Sequence, residues 1–125
     1  MNTKELMIGD FVYCEPEGKV IQVTEVRAEA VQFHEYSTLT TFEDELQPIP
    51  LTDEILDKNA ERCDHVLGHK WLFLKSGLFI LQVFRWEDDD CYEVLNYVEL
   101  RYVHELQHAL RLCGEYELAD NLKLE

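Results

Sequence analysis

Five consecutive residues have the types and spacing of a zinc-dependent hydrolase. The segment His104-Glu105-Leu106-Gln107-His108 matches the H-E-x-x-H pattern, in which two histidines one helical turn apart bind zinc and the glutamate activates a water molecule. A catalytic zinc also needs a third protein ligand and a cleft. The extended form of the motif has glycine and histidine where this chain has Arg111 and Gly114. The segment therefore supports a hydrolase only as an alternative hypothesis.

The predicted orientation of the two histidines also disfavours a zinc site. At about 100° per residue, His104 and His108 project onto the side of the helix opposite Leu106, which anchors the apolar stripe. We therefore expect both histidines to face solvent. The downstream carboxylates that could supply a third ligand lie in a short remainder where we predict no second helix: Glu115, Glu117, Asp120 and Glu125.

Two further groups have metal-ligating side chains without a recognised pattern. The spacing of Cys63, His65 and His69 is not that of a known zinc site, and it favours one buried thiol and two surface imidazoles. The run from Asp88 to Asp90 lacks the alternating ligands and central glycine of a calcium loop, so it predicts a charged turn. The sequence has no glycine-rich phosphate loop and no G-x-S-x-G elbow. We predict no cofactor.

The first 50 residues predict short strands separated by turns. Apolar residues alternate or cluster in segments 11–14, 20–26, 31–33, 39–42 and 46–49. Five antiparallel strands are enough for a small SH3-like barrel, whose closure removes exposed edges. The acidic residues 43–45 would form a loop, and Pro48 and Pro50 would end the last strand.

A short helix is predicted to follow the barrel. Thr52 has the type and position of an N-cap, and Asp53 and Glu54 place negative charge in the first turn. Leu51 and Leu56 have the spacing of a hydrophobic staple. We expect a helix over 53–59 within a bridging segment, 51–62.

The second half predicts a sheet packed on a carboxyl-terminal helix. Segments 71–74 and 78–86 form a hairpin pattern, 91–98 returns as a strand, and 100–113 has helical periodicity followed by Gly114 at C′. We treat 60–70 as irregular and the tail after Gly114 as loosely ordered. The fold class is α+β: one domain over 1–125, with the barrel in 1–50, the bridging helix in 51–62 and the sheet and helix in 63–125.

The strand 78–86 supplies a candidate protein-interaction surface. It is apolar on both faces, so one face could lack a cover within so small a domain. Phe84 and Trp86 would form the centre, and the rim would be acidic: Glu87, Asp88, Asp89 and Asp90. A central strand buried within the monomer has the same pattern, so both interpretations stay open.

The composition excludes several classes of function. The chain of 125 residues carries 26 acidic and 11 basic residues, a formal charge of -15 with neutral histidines, and 46% hydrophobic residues. So many apolar residues exclude a disordered chain, and the charge disfavours nucleic acid. The apolar segments are too short for a secretion signal or a membrane helix, and the four cysteines contain no C-x-x-C pair. We expect a cytoplasmic protein without disulfides.

Three segments carry a resemblance to a known family: 6–12, which contains the pattern I-G-[ND]-x-V; 45–56, which contains L-x-P-I-P-L-T-x-E-I-L; and 102–107, with Y-x-H-x-L-Q. Together they resemble a family of small uncharacterised proteins from anaerobic gut bacteria and their prophages or mobile elements. The family continues the last pattern with asparagine where this chain has His108. The resemblance implies an accessory protein of a phage or integrated element and no activity. The start of the barrel segment also resembles SH3-like barrels in other phage proteins.

Taken together, these features predict a non-enzymatic acidic protein that engages a protein partner, possibly basic, and no nucleic acid or membrane. A zinc hydrolase using His104, Glu105 and His108 is the first alternative. A self-associating structural protein using the hairpin face with Phe84 and Trp86 is the second.

Overall fold

A computed structural model of the chain describes residues 1–33, 36–66, 69–73, 79–84, 90–94 and 98–125. In these residues the fold is α+β, with two antiparallel sheets of five strands each and three α-helices. The α+β fold class predicted from the sequence is therefore confirmed. Two short 3₁₀ helices, at Thr3–Glu5 and Glu43–Glu45, precede β1 and β5.

The first sheet is built from the predicted amino-terminal strands. They are β1 (Phe11–Cys14), β2 (Lys19–Val26), β3 (Ala30–Phe33), β4 (Tyr36–Phe42) and β5 (Leu46–Gln47). Their order is β4-β3-β2-β1-β5, which leaves β4 and β5 at the two edges of the described sheet. The closure expected of an SH3-like barrel is therefore not seen among the described pairings. The strand β5 ends directly before Pro48, two residues earlier than the predicted segment 46–49.

Period-two alternation explains where the core of this sheet lies. Alternate side chains are buried in β1 and in the middle of β2, and these residues pack together with Phe33 of β3 and Leu46 of β5. The buried members of the two strands are Val12, Cys14, Ile21 and Val23. The intervening side chains form the outer face of the sheet.

The second sheet is a simple meander of consecutive strands. They are β6 (Arg62–Val66), β7 (His69–Phe73), β8 (Phe79–Phe84), β9 (Asp90–Val94) and β10 (Val98–Leu100). The prediction that 60–70 is irregular was wrong, because this segment forms β6 and the start of β7. Five register pairs, from Arg62 opposite Phe73 to Val66 opposite His69, hold it in the sheet.

The candidate surface on the second hairpin is only partly within the described residues. Phe84 and Asp90 are register partners at the ends of β8 and β9. Trp86, Glu87, Asp88 and Asp89 lie outside the described residues. The surface therefore stays a prediction.

Two helices were predicted, and three of their four ends lie where the local sequence signals indicate. The helix α1 (Asp53–Asn59) has the predicted bounds, and the Thr52 hydroxyl accepts a hydrogen bond from the Ile55 amide at 3.3 Å. The helix α2 (Val103–Leu112) begins three residues later than predicted because Leu100 belongs to β10. Gly114 follows α2 with the positive φ of a C′ residue, +82°.

A third helix, α3 (Tyr116–Asp120), occupies the tail that we expected to be loosely ordered. The expectation was wrong because Ala119 and Leu122 are buried in the same core as the apolar stripe of α2. Ala119 lies within α3, and Leu122 lies two residues after its end.

The two halves of the chain are joined by backbone hydrogen bonds and by packing. The Leu51 amide donates to the Arg101 carbonyl and the Val103 amide donates to the Ile49 carbonyl, both at 2.9 Å. Phe11 of the first sheet packs against the core formed by the helices. None of the described helices is long and apolar enough to cross a membrane.

Candidate functional site

A buried carboxylate lies where the loop before β1 meets α2. The side chain of Asp10 is 0% exposed. Its Oδ1 accepts a hydrogen bond from Arg111 Nη1 at 2.6 Å, and its Oδ2 accepts from the Met7 amide at 2.8 Å and from His108 Nε2 at 2.6 Å. A carboxylate only accepts, so Nε2 of His108 carries the proton of that bond. Three donors therefore satisfy the charge of Asp10.

The neighbouring ion pair continues to α3. Arg111 Nη2 donates to Asp120 Oδ1 at 3.2 Å, so one guanidinium binds two carboxylates. Arg111 is 8% exposed, whereas the Asp120 side chain is half exposed. We call Asp10, His108, Arg111 and Asp120 the ion cluster. It connects the first sheet to both helices of the carboxyl-terminal segment.

Gln107 ties the same three elements together through their backbones. Its Oε1 accepts from the Phe11 amide at 2.9 Å, and its Nε2 donates to the carbonyls of Gly9 at 2.9 Å and Ala119 at 2.8 Å. The side chain is fully buried. Both polar ends of the amide are therefore satisfied, as burial requires.

The positions of the two motif histidines correct the sequence prediction. His104 is 4% exposed and the His108 side chain is 28% exposed, so neither histidine faces solvent freely. The helical projection assumed that only the apolar stripe of α2 would be covered. The opposite side is covered as well, because polar side chains of α2 bond to the loop before β1.

The described arrangement does not bring the zinc motif together as a catalytic set. Glu105 Oε1 accepts from the amides of Arg101 and Tyr102, both at 2.9 Å, which caps the start of α2. His108 Nε2 is bonded to Asp10, and Nδ1 of His104 is buried without a hydrogen-bond partner. Within the described ranges, no three histidine, cysteine or acidic side chains are placed to hold a metal ion.

The second candidate ligand group lies on adjacent strands. Cys63 and His65 are in β6, and His69 begins β7 opposite Val66. Their side chains lie outside the described part of the structure. The prediction of a buried thiol and two surface imidazoles is therefore not tested.

An open pocket of about 460 Å³ lies at the start of α1, lined by Leu51, Thr52, Asp53, Glu54 and Tyr92. The Tyr92 hydroxyl donates to Asp53 Oδ1 across it. The pocket thus presents two carboxylates, the hydroxyl of Thr52 and the phenol of Tyr92.

Sequence reasoning missed the residues that matter most at the junction between the sheet and the helices. Asp10, Gln107 and Arg111 are polar and lie in patterns that predict exposure, yet all three are buried. Their partners are about a hundred residues away, so no local spacing signals the bonds. The one sequence signal near Asp10 was the segment of the family resemblance that contains Gly9 and Asp10.

Comparison of the chain with protein-family models, with curated proteins and with solved structures finds no match.

Protonation of His104 is expected to make the protein less stable below neutral pH. Burial lowers the pKa of His104 from its ordinary value of 6.5, the His108 charge acts in the same direction, and Asp10, Glu105 and Glu5 oppose it. As the pH falls through 6.5 the unfolded chain takes up a proton that the folded chain does not. The free energy of unfolding should then decrease by up to about 1.4 kcal/mol per pH unit.

The measurement is chemical denaturation between neutral and mildly acidic pH for the wild type and for His104→Gln. The variant should show the shallower pH dependence, whatever its absolute stability. Parallel pH profiles for the two proteins would contradict the expectation.

Proposed function

We propose that this protein is a non-enzymatic accessory protein that binds a basic protein partner in the cytoplasm. The proposal rests on one observation: the side chains whose types could perform catalysis make structural hydrogen bonds within the fold. Asp10 accepts hydrogen bonds from His108 and Arg111 inside the fold, and Glu105 caps α2. These side chains hold the structure together and are not directed at a substrate.

The charge of the chain supports the choice of partner. A formal charge of -15 repels nucleic acid and anionic membranes and attracts basic surfaces, with faster association at low salt. The acidic residues are distributed over both halves of the chain, so they do not form a detachable acidic tail.

We propose further that the first sheet is a partly open SH3-like barrel and that the chain belongs with the phage-related family that it resembles. The strand order β4-β3-β2-β1-β5 supports the first point, since a meander whose last strand returns beside β1 is the pairing of such a barrel without its closure. The register shift between Val23 and Glu25 in β2 provides a bend of the kind that curves a sheet. Fold alone does not define the partner.

The test is capture of partners by the tagged protein in its native host, followed by reconstitution with the purified partner. We expect a basic protein whose affinity falls at least tenfold when the salt concentration rises from about 50 to 300 mM, because the attraction is screened. We also expect the purified chain to contain no stoichiometric zinc.

Two results would overturn the proposal. One zinc ion per chain that is lost in His104→Ala would favour the zinc hydrolase. Concentration-dependent self-association in sedimentation, with no reconstituted partner, would favour the self-associating structural protein.

A further inference from the structure

The outer face of the first sheet carries an exposed apolar pair that none of the described helices covers. Tyr13 of β1 and Val20 of β2 are direct register partners and are 38% and 41% exposed. On the other side of β1, Tyr13 is the register partner of Gln47 in β5, which is also exposed. We call Tyr13, Val20 and Gln47 the outer row. It crosses three adjacent strands.

The same face is covered at its other end. Phe11, two residues before Tyr13, packs against the helix core, and its register partner Gln22 donates to the Asp120 carbonyl at 2.8 Å. The carboxyl-terminal helices therefore cover the outer face at Phe11 and Gln22, whereas the outer row is exposed. The row begins where this cover ends.

Acidic side chains lie beside the outer row. The turn between β1 and β2 exposes Glu15 and Glu17, and the Glu15 amide donates to the Glu45 carbonyl at 3.0 Å, which brings the segment before β5 alongside. Gln47 Nε2 donates to Glu15 Oε1 at 2.8 Å and so links the row to its acidic border. Residues 13–20 and 44–47 together contain four acidic residues, Glu15, Glu17, Asp44 and Glu45, and one basic residue, Lys19.

We propose that the outer row binds an extended segment of the partner that is rich in lysine and arginine and carries an apolar side chain. The apolar side chain packs on Tyr13 and Val20, and the basic side chains pair with Glu15 and Glu17. An exposed aromatic ring beside carboxylates suits this chemistry, since it offers apolar contact and a cation–π face together. A second copy of the chain does not fit, because each copy carries -15.

This inference rests on the proposed binding of a basic partner and names the surface for it. The probe is a labelled peptide with four repeats of Lys-Val-Arg, compared with four repeats of Lys-Ser-Arg, which has the same charge and no apolar side chain. Binding is measured by fluorescence anisotropy. We expect the wild type to bind the valine peptide about five- to tenfold more tightly, the effect of one good apolar contact.

Matched variants assign the contact to the outer row. The variant Tyr13→Thr with Val20→Thr keeps strand-forming residues and should bind both peptides equally. Tyr116→Thr removes a more exposed tyrosine, at 62%, from α3 and should retain the preference. The double variant Glu15→Gln with Glu17→Gln should lower the affinity for both peptides. The control Glu29→Gln with Glu117→Gln removes the same charge elsewhere and should lower the affinity less. Thermal unfolding verifies that each variant is folded.

The outcomes separate the two proposals. In one outcome the wild type prefers the valine peptide and the outer-row variant keeps that preference. This result would contradict the outer row as the binding surface and would leave the proposed basic partner unaffected. If the wild type binds neither peptide, the inference fails, and reconstitution with the captured partner decides the proposed function by itself.

Discussion

Replacing Arg111 with methionine is expected to destabilise the protein by about 3–5 kcal/mol, the usual effect of removing one partner of a buried ion pair. The variant keeps most of the apolar volume and removes the charge that faces Asp10 at 2.6 Å. Asp10 is fully buried, so solvent cannot replace the lost donor. Urea unfolding monitored by circular dichroism measures the change.

Two controls separate this effect from a loss of positive charge. Arg101→Met removes an exposed guanidinium that lies 3.9 Å from Glu99, and it should change the stability by at most about 1 kcal/mol. Adding Asp10→Asn to Arg111→Met should recover part of the loss, since the unpaired buried charge is gone. Equal stability of Arg111→Met and the wild type would show that the ion cluster does not hold the sheet to the helices.

Replacing Gly9 with alanine is expected to cost about 2–4 kcal/mol. The φ of Gly9 is +94°, a conformation that L-residues adopt only with strain. A Cβ added there would lie 2.6 Å from Asp120 Oδ1 and 2.8 Å from Arg111 Nη2, so the ion cluster would have to move as well. Thermal and urea unfolding measure the loss.

Gly18 provides the matched control for this substitution. Its φ is +63°, and an added Cβ would meet nothing within 4 Å. Gly18→Ala should therefore lower the free energy of unfolding only by the strain of an L-residue at positive φ, about 1–2 kcal/mol. If both variants lose the same stability, the close approach of Gly9 to α3 contributes nothing.

Local signals in the sequence predicted the elements whose determinants lie within a few residues. The helix α1 has the predicted bounds because its N-cap Thr52 and the buried pair Leu51 and Leu56 all fall within one short segment. The strands of the first sheet follow from period-two alternation. In contrast, β6 forms mainly because β7 pairs with it, and the sequence of 60–70 carries little pattern of its own.

The ion cluster could not be predicted for a different reason. Arg111 and His108 are polar residues on a helix, and the expectation for such residues is exposure. Their burial depends on Asp10, whose position relative to α2 is set by the whole fold. A helical projection that uses only the apolar stripe therefore predicted the helix correctly. Its prediction that the opposite side faces solvent was wrong.

The separation of Asp10 and Arg111 by 101 positions also sets the order in which a newly made chain can fold. At a synthesis rate of about 5–20 residues per second, Arg111 is added about 5–20 s after Asp10. Until then the first sheet has an open end where α2 and α3 will pack. The helices α2 and α3 emerge after the first sheet and cover Asp10, and a ribosome that stalls before α2 leaves a nascent chain with that end of the sheet uncovered.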